Sequence, residues 1–336
     1  MNGLTIIIST FMNGLMTVQS VQYFRLRQSS GGLHPSSSDD NHITSGHWLQ
    51  QKLDHFNTLD TRTWKQRYFV NDSFFDSNEA GPIFLMVGGE SEANPQWMIR
   101  STWINYAQKF KALCLMLEHR YYGKSQPTPD LSVENLQYLS SQQALADIAY
   151  FIETMNKQYQ LNDSKKARKW VAFGGSYAGA LAAWLRVKYP HLVFASVSSS
   201  SPLYAKLDFR GMADFDRLEL NLQPEFQNVT INTVSKNIVS YYFFVYIVGR
   251  QWTYQTCTEF GFYQTSSDVV PLFGDYFPID LFVKQCQDIF GTIIFPWKEC
   301  VHLLITAAST FNGLYFSQWR PLRISFLYFK LFYIYV

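Results

Sequence analysis

Charge of either sign is scarce in this chain: Asp, Glu, Lys and Arg make up 16% of its 336 residues, and the net charge is +2. There is no basic cluster and no long run of like charge. A nucleic-acid partner is therefore set aside, because a phosphate backbone is gripped by a stripe or patch of Lys and Arg. Cysteine is equally sparse. The four cysteines, Cys114, Cys257, Cys286 and Cys300, show no zinc-type pairing, so neither a metal nor a cofactor is expected. Long apolar runs are missing too. The stretch from Leu4 to Val18 is too short to cross a bilayer, and Val234 to Val248 is too short and too interrupted by polar groups. No stable membrane span is expected.

What is present suits a large buried fold. Hydrophobic residues make up 47% and aromatics 17%, enough for one large α/β domain or two smaller ones. Val18-Gln19-Ser20 suits signal-peptide cleavage after Ser20, although no Lys or Arg precedes Arg25. Ser29 to Ser45, rich in Ser, Gly, Asp, Asn and His, reads as a flexible leader. Sequons at Asn71, Asn162 and Asn228 fit a glycoprotein of the secretory pathway. In that oxidising setting Cys257 with Cys286 is a candidate disulfide, and Cys114, inside an apolar run, reads as a buried thiol.

Strand-like and helix-like runs alternate through the first two thirds. Trp64 to Val70 alternates as an edge strand does, and Pro82 to Val87 is a continuous apolar run ending at Gly88-Gly89. Trp97 to Phe110 suits a helix. Ala112 to Leu117 is a second buried strand, ending in Glu118-His119-Arg120-Tyr121-Tyr122-Gly123. Ser140-x-x-Gln143 resembles a capping box ahead of a helix with Leu145, Ile148, Ile152, Met155 and Tyr159 on one face. Trp170 to Phe173 and Phe194 to Ser198 supply further strands. This order predicts an α/β fold with a mostly parallel central sheet and right-handed crossovers.

Gly174-Gly175-Ser176-Tyr177-Ala178-Gly179 stands between the Trp170–Phe173 strand and the Ala-rich helix that begins at Ala180. A strand that turns sharply on glycines into a helix, with serine at the apex, is the nucleophile elbow of an α/β-hydrolase. Its second small position is Ala178 rather than glycine, read as a tolerated variant. Ser176 is the candidate nucleophile. The oxyanion donors would be the backbone N–H of Tyr177 and one from the Gly88-Gly89-Glu90 loop, at Gly89. His119, Arg120 and Tyr121, with Gly88 and Glu90, are expected to shape the pocket at the carboxyl ends of the strands, His119 as wall rather than base.

Histidine is the shortage with the largest consequence. The chain order of this fold is Ser, acid, His, and only His191 and His302 follow Ser176. His191 belongs at the far end of the nucleophile helix, which leaves His302 as a weak base candidate. Asp268, Asp275, Asp280 and Asp288 are undistinguished acid candidates. The last stretch, Ile324 to Val336, is aromatic and nearly unpunctuated, an aggregation-prone strand if it is structural. It is better explained as a translated non-coding extension or a mis-spliced exon.

Together the stretches Gln51 to Phe56, Val87 to Glu90, Glu118 to Gly123, Leu139 to Asp147, Gly174 to Gly179, Phe194 to Val197, Gln251 to Gly261 and Cys286 to Gly291 resemble the prolyl serine peptidase family. That family includes lysosomal Pro-Xaa carboxypeptidase and dipeptidyl peptidase II, and the likeness is greatest to its thymus-specific branch. The resemblance implies a serine exopeptidase that cleaves near proline through an acyl-enzyme, of the dipeptidyl-peptidase or carboxypeptidase type. It further implies a helical cap inserted in the hydrolase domain, a peptide substrate, a second copy of the chain as a partner, and a lysosomal, endosomal or secreted location. The interval Gly211 to Gly249 is short for such a cap, and the family's late acid and base motifs have no match after Gly291. The expected layout is a signal peptide at 1–20 and a leader at 21–48. A hydrolase core follows at 49–208, then a truncated cap at 209–250, a return to the hydrolase domain at 251–291 and an atypical tail at 292–336. A catalytically incomplete splice or gene-model fragment that at most binds peptides is the alternative, and a lipase or esterase is a third reading.

Overall fold

The computed structural model describes residues 43–161, 168–203, 249–261, 263, 265, 278–291 and 332–335, the last four as backbone. Two compact units divide the chain. One takes in residues 1–127, 141–202 and 326–336, the other residues 128–140 and 203–325. The region expected to carry the cap, 209–250, lies almost wholly outside the described residues.

The first unit is built on a seven-stranded sheet. Its elements in chain order are β1 (His47–Lys52), β2 (Thr63–Asn71), β3 (Ile83–Val87), α1 (Thr102–Phe110) and β4 (Leu113–Leu117). Helix α2 (Val133–Leu136) belongs to the second unit. Then come α3 (Ser141–Gln158), β5 (Trp170–Gly175), α4 (Tyr177–Lys188) and β6 (Ala195–Ser199). In the second unit lie α5 (Arg250–Gln255) and α6 (Ile279–Phe290), and β7 (Phe332–Tyr335) returns to the sheet. The strand order is β1-β2-β4-β3-β5-β6-β7. Strands β3 to β6 run parallel, and β2 lies antiparallel between β1 and β4. This mostly parallel sheet, crossed by helices and turning on a serine elbow after β5, is an α/β-hydrolase fold.

Alternation along the buried strands sends side chains to two apolar layers. Phe69, Phe84, Cys114 and Met116 pack on one face with Trp103, Ile104 and Ala107 of α1, and Val171 and Phe173 join them. On the other face Tyr68 meets Phe151 of α3 with ring centroids 5.3 Å apart. Cys114 is a free, fully buried thiol pushed far above its ordinary value by that burial.

Two sequence expectations need correction. β2 is not an edge strand: the outer position belongs to β1, which pairs with it from His47↔Tyr68 to Lys52↔Thr63. β1 reads HWLQQK, with no apolar run to announce it. The single helix expected over Trp97 to Phe110 is broken. A 3-10 turn, Pro95–Met98, is capped by the Asn94 side chain, and α1 restarts after Ser101 and ends on left-handed Lys111. Four residues of the tail, read from the sequence as a strand if it is structural, form β7, whose backbone pairs antiparallel with β6 from Ser196↔Tyr335 to Ser199↔Phe332. The outer edge of β6 presents a row of backbone donors and acceptors that any extended segment can satisfy.

A buried polar network links strand ends to α3. Arg120, with no exposed side-chain surface, donates from Nε to Asp147 Oδ2 at 2.6 Å and from Nη2 to Oδ1 at 2.7 Å. Arg120 Nη1 donates to the Leu53 carbonyl at 3.0 Å, and His55 Nε2 lies 2.7 Å from Asp147 Oδ1. The Gln143 amide accepts from the His55 backbone N–H at 3.0 Å and donates to Asp54 at 2.6 Å. Beside it, buried Glu118 accepts from Arg67 Nε, the Ala93 and Lys124 N–H groups and the Ser125 hydroxyl. Among the described residues no helix is long and apolar enough to cross a membrane.

In the second unit a disulfide joins Cys257, in the wide helical turn Thr256–Phe260, to Cys286 of α6. Tyr263 stacks on Phe282 at 4.9 Å, and Arg250 lies over the Phe290 ring while its Nε donates to the Leu131 carbonyl.

The Arg120–Asp147 pair has a pH signature. Burial by itself would raise the Asp147 carboxyl, but Arg120 and then His55 outweigh it and hold the folded value below the ordinary one. Its stabilisation is therefore complete above about pH 4, the unfolded value, and is lost as pH falls through the lower folded value. Asp147→Asn strands a buried guanidinium and is expected to cost about 3–5 kcal/mol at pH 7. Urea unfolding at pH 7 and pH 3 checks this: the gap between variant and parent should be wide at pH 7 and narrower at pH 3.

Candidate active site

The carboxyl ends of β3, β4, β5 and β6 lie along one edge of the sheet, since Val87 is level with Leu117 and Gly175 with Ser199. That edge gathers the Gly88–Glu90 loop, the Glu118–Gly123 segment and Ser176. Ligands of open α/β sheets bind at such an edge.

Ser176 stands alone between β5 and α4 with φ 56° and ψ −132°, a backbone conformation an L-residue adopts only under strain of about 1–3 kcal/mol. Its surroundings hold it there. The Ser176 N–H donates to the Ser199 carbonyl at 3.0 Å, and its own carbonyl accepts from Gly179 N–H at 3.0 Å and Ala180 N–H at 3.2 Å. Ser198 Oγ donates to the Gly179 carbonyl at 2.9 Å. The turn closes so tightly that a Cβ on Gly174 would lie 2.1 Å from the Ala178 carbonyl oxygen. Only glycine fits at 174.

The loop after β3 presses on the other side. A Cβ on Gly89 would meet the Ala178 methyl at 3.1 Å and the Ala178 nitrogen at 3.2 Å. The alanine at the elbow's second small position is thus accommodated because residue 89 has no side chain to compete with it. Gly88 N–H donates to the Leu117 carbonyl at 2.8 Å, tying the loop to β4. Glu90, half-buried, hydrogen-bonds Ser176 through its carboxyl. Burial lifts that carboxyl above its ordinary value, while bonds from its own backbone N–H and from Ser176 pull it back.

Helix α4 begins at Tyr177 with no side-chain cap from Ser176. First-turn N–H groups have no acceptor within their own helix, and the dipole adds partial positive charge there. Negative charge developing on a carbonyl attacked by Ser176 would form beside that terminus. Tyr177 itself is buried, with its hydroxyl 3.1 Å from His119 Nε2, and His119 Nδ1 lies 2.7 Å from the Arg120 carbonyl.

The remaining candidates separate. Arg120 and Tyr121 are fully buried. Arg120 points to Asp147 and to the Lys52 and Leu53 carbonyls, and it lines a small cavity together with Gly88, Glu118 and His119. His191 is exposed beyond the C-terminus of α4, its ring tilted against that of Tyr189 with centroids 6.2 Å apart. The twelve residues of that helix set it about 18 Å along the axis from Ser176. His55 is committed to Asp147. Asp280 and Asp288 are exposed on α6 in the second unit, and Asp288 pairs with Lys284. His302, Asp268, Asp275, Asn162 and Asn228 lie outside the described residues. Asn71 is corrected: 2% exposed at the end of β2, it donates from Nδ2 to the Met98 carbonyl at 2.7 Å. A glycan on that nitrogen would break the bond and fill the core.

Sequence reasoning missed the roles of Asp147, Arg67 and Glu118. The available signal was a charged residue inside an apolar periodicity, Asp147 lying between Leu145 and Ile148 on the buried face of α3. Such a residue is retained in a core only when paired.

A family model described as serine carboxypeptidase S28 matches residues 51–225 and 217–296. The thymus-specific serine protease of Homo sapiens is 46% identical over 162 residues, covering 48% of this chain and 31% of that protein. The lysosomal Pro-X carboxypeptidase of Mus musculus is 38% identical over 162 residues, covering 47% of this chain and 32% of that protein. The chain therefore spans about a third of the length of these relatives. Among solved structures, the Pyrococcus furiosus esterase Pf2001 is 17% identical with a TM-score of 0.32, covering 60% of this chain and 71% of that one.

The elbow's tolerance differs from one glycine to the next. A Cβ on Gly174 strikes backbone, whereas one on Gly179 strikes Ser201 Oγ at 2.1 Å and otherwise lies 3.1 Å from two carbonyl oxygens. Gly174→Ala should destabilise the fold by about 3 kcal/mol or more. Gly179→Ala should cost less and be partly rescued by adding Ser201→Ala. Thermal or urea unfolding of the three variants tests the order.

Proposed function

The chain belongs to the serine carboxypeptidase S28 family, and on that premise we propose that it is a serine exopeptidase acting on peptides through an acyl-enzyme at Ser176. The observation that carries this reading is the strained Ser176 at the apex of the β5–α4 turn, bracketed by the Gly89 loop and the uncapped start of α4. Ser176 Oγ attacks the peptide carbonyl carbon as a base takes its proton. The Tyr177 N–H and the Gly89 loop stabilise the oxyanion. The C–N bond then breaks, the leaving amine takes the proton, and water hydrolyses the ester. The Glu90 carboxyl, hydrogen-bonded to Ser176, orients the side chain of the nucleophile before substrate arrives.

The finer reading is a preference for bonds next to proline, in a lysosomal, endosomal or secreted setting. It is supported by a relative that is named a lysosomal Pro-X carboxypeptidase and by the Cys257–Cys286 disulfide, which suits an oxidising compartment. A signal peptide over 1–20 and glycans at Asn162 and Asn228 belong to the same proposal.

The test uses a fluorophosphonate probe on the purified chain, followed by peptides carrying proline at the penultimate position from either end. Ser176 should be the labelled residue. Ser176→Ala should abolish labelling and lower any peptide hydrolysis by at least about 10³-fold. A chain that stays unlabelled while folded, or that is labelled elsewhere, would sink the proposal.

A further inference from the structure

The elbow holds Ser176, but the oxyanion donor belongs to the next residue, Tyr177, and the large side chain of Tyr177 is fixed from outside the elbow. Tyr177 is 1% exposed and His119 4% exposed. Their rings lie 5.4 Å apart, tilted by 55°, and Tyr122 closes the other side of His119 edge-on at 5.2 Å. The proton count follows from the partners. A carbonyl only accepts, so His119 Nδ1, 2.7 Å from the Arg120 carbonyl, carries the ring proton. Nε2 is then a bare acceptor, and the Tyr177 hydroxyl 3.1 Å away donates to it.

We propose that His119 is a positioning residue for the oxyanion hole, acting through the Tyr177 hydroxyl to hold the backbone N–H of Tyr177 on its line of fire. This rests on the reading of Ser176 as the nucleophile and extends it to the end of β4. A hydrogen bond at the tip of a buried tyrosine restrains the ring, and the ring restrains the first peptide of α4, where a misplacement of tenths of an ångström weakens an oxyanion contact. The arrangement is anchored at its far end. The residue whose carbonyl orients His119 is Arg120, clamped by Asp147 and the Leu53 carbonyl. Burial pushes His119 down to about 4, outweighing the opposing pull of the Arg120 carbonyl and Asp147, so the ring keeps its acceptor lone pair across mildly acidic solution.

The experiment is a double-mutant cycle read as the second-order rate of fluorophosphonate labelling, at a temperature where every variant is folded by circular dichroism. Tyr177→Phe and His119→Leu are each expected to slow labelling about tenfold, the scale of one well-made hydrogen bond. The double variant should be no slower than either single one. His119→Gln, whose Oε1 offers an acceptor, should label within about threefold of the parent. A purely structural role would instead lower the unfolding midpoint and leave the labelling rate of folded protein unchanged. Additive effects in the double variant, or His119→Gln as slow as His119→Leu, would overturn the inference. If His119→Leu does not fold, Tyr177→Phe with and without His119→Gln decides. Parent chain that labels at Ser176 with unaffected variants overturns this inference alone. Parent chain that does not label overturns the hydrolase reading and this one with it.

Discussion

The ion pair between Arg120 and Asp147 is the constraint on which the rest of the first unit depends. Two charges out of contact with water are costly, and their attraction repays that only where geometry is good and every remaining donor is used. Here the guanidinium meets the carboxylate on two bonds, and its spare N–H groups reach carbonyls at the end of β1 and in the following turn. His55 takes a further carboxylate lone pair. The pair therefore pins three things at once: the carboxyl end of β4, the face of α3, and the segment that leads from β1 into β2. An apolar replacement of the same volume would fill the space without fixing their register.

From that anchor the strain at Ser176 becomes intelligible. A residue held at positive φ persists only where its neighbours over-determine it. Support for the elbow arrives from three directions. β6 contributes the Ser199 carbonyl and the Ser198 hydroxyl. The β3 loop contributes Gly89 against Ala178. The end of β4 contributes His119 against Tyr177. Glycine at 174 and 89 and serine at 198 are what permit approach this close, so the small residues around the elbow are a packing requirement before they are a chemical one.

Much of this was legible in the sequence, for a physical reason. β3, β4 and β5 are buried on both faces, so their apolar runs are continuous and end at glycines or at the Glu118–Gly123 segment, and the elbow announces itself by small residues. β1 was not legible, because an edge strand with one covered face carries Trp48, Gln50 and Lys52 outward and has no periodic apolar signal. The break before α1 was hidden because Ser101 and Thr102 sit inside an otherwise helical pattern. Arg120 was placed at the right end of the right strand, but without the partner that holds it. Sequence adjacency to His119 says nothing about which way a side chain turns, and only the pairing with Asp147, 27 positions away, decides it. Asn71 failed in the same way: a sequon records three residues in a row, and burial beside Met98 is a fact of the fold.

The elbow is local in sequence, yet its supports are not. His55 meets Asp147 across 92 positions, Arg120 meets Leu53 across 67, and His119 meets Tyr177 across 58. Contacts this distant pay their loop-closure entropy before they return any energy. The strained conformation of Ser176 therefore cannot be stable in the isolated β5–α4 segment, which has the glycines but none of the braces. It becomes affordable only when the sheet has assembled from β1 to β6 and α3 has docked. The geometry of Ser176 thus reports the completeness of that sheet, and a change at β1 or α3 that breaks no contact to Ser176 would still be felt there, through Arg120 and then through the His119–Tyr177 hydrogen bond.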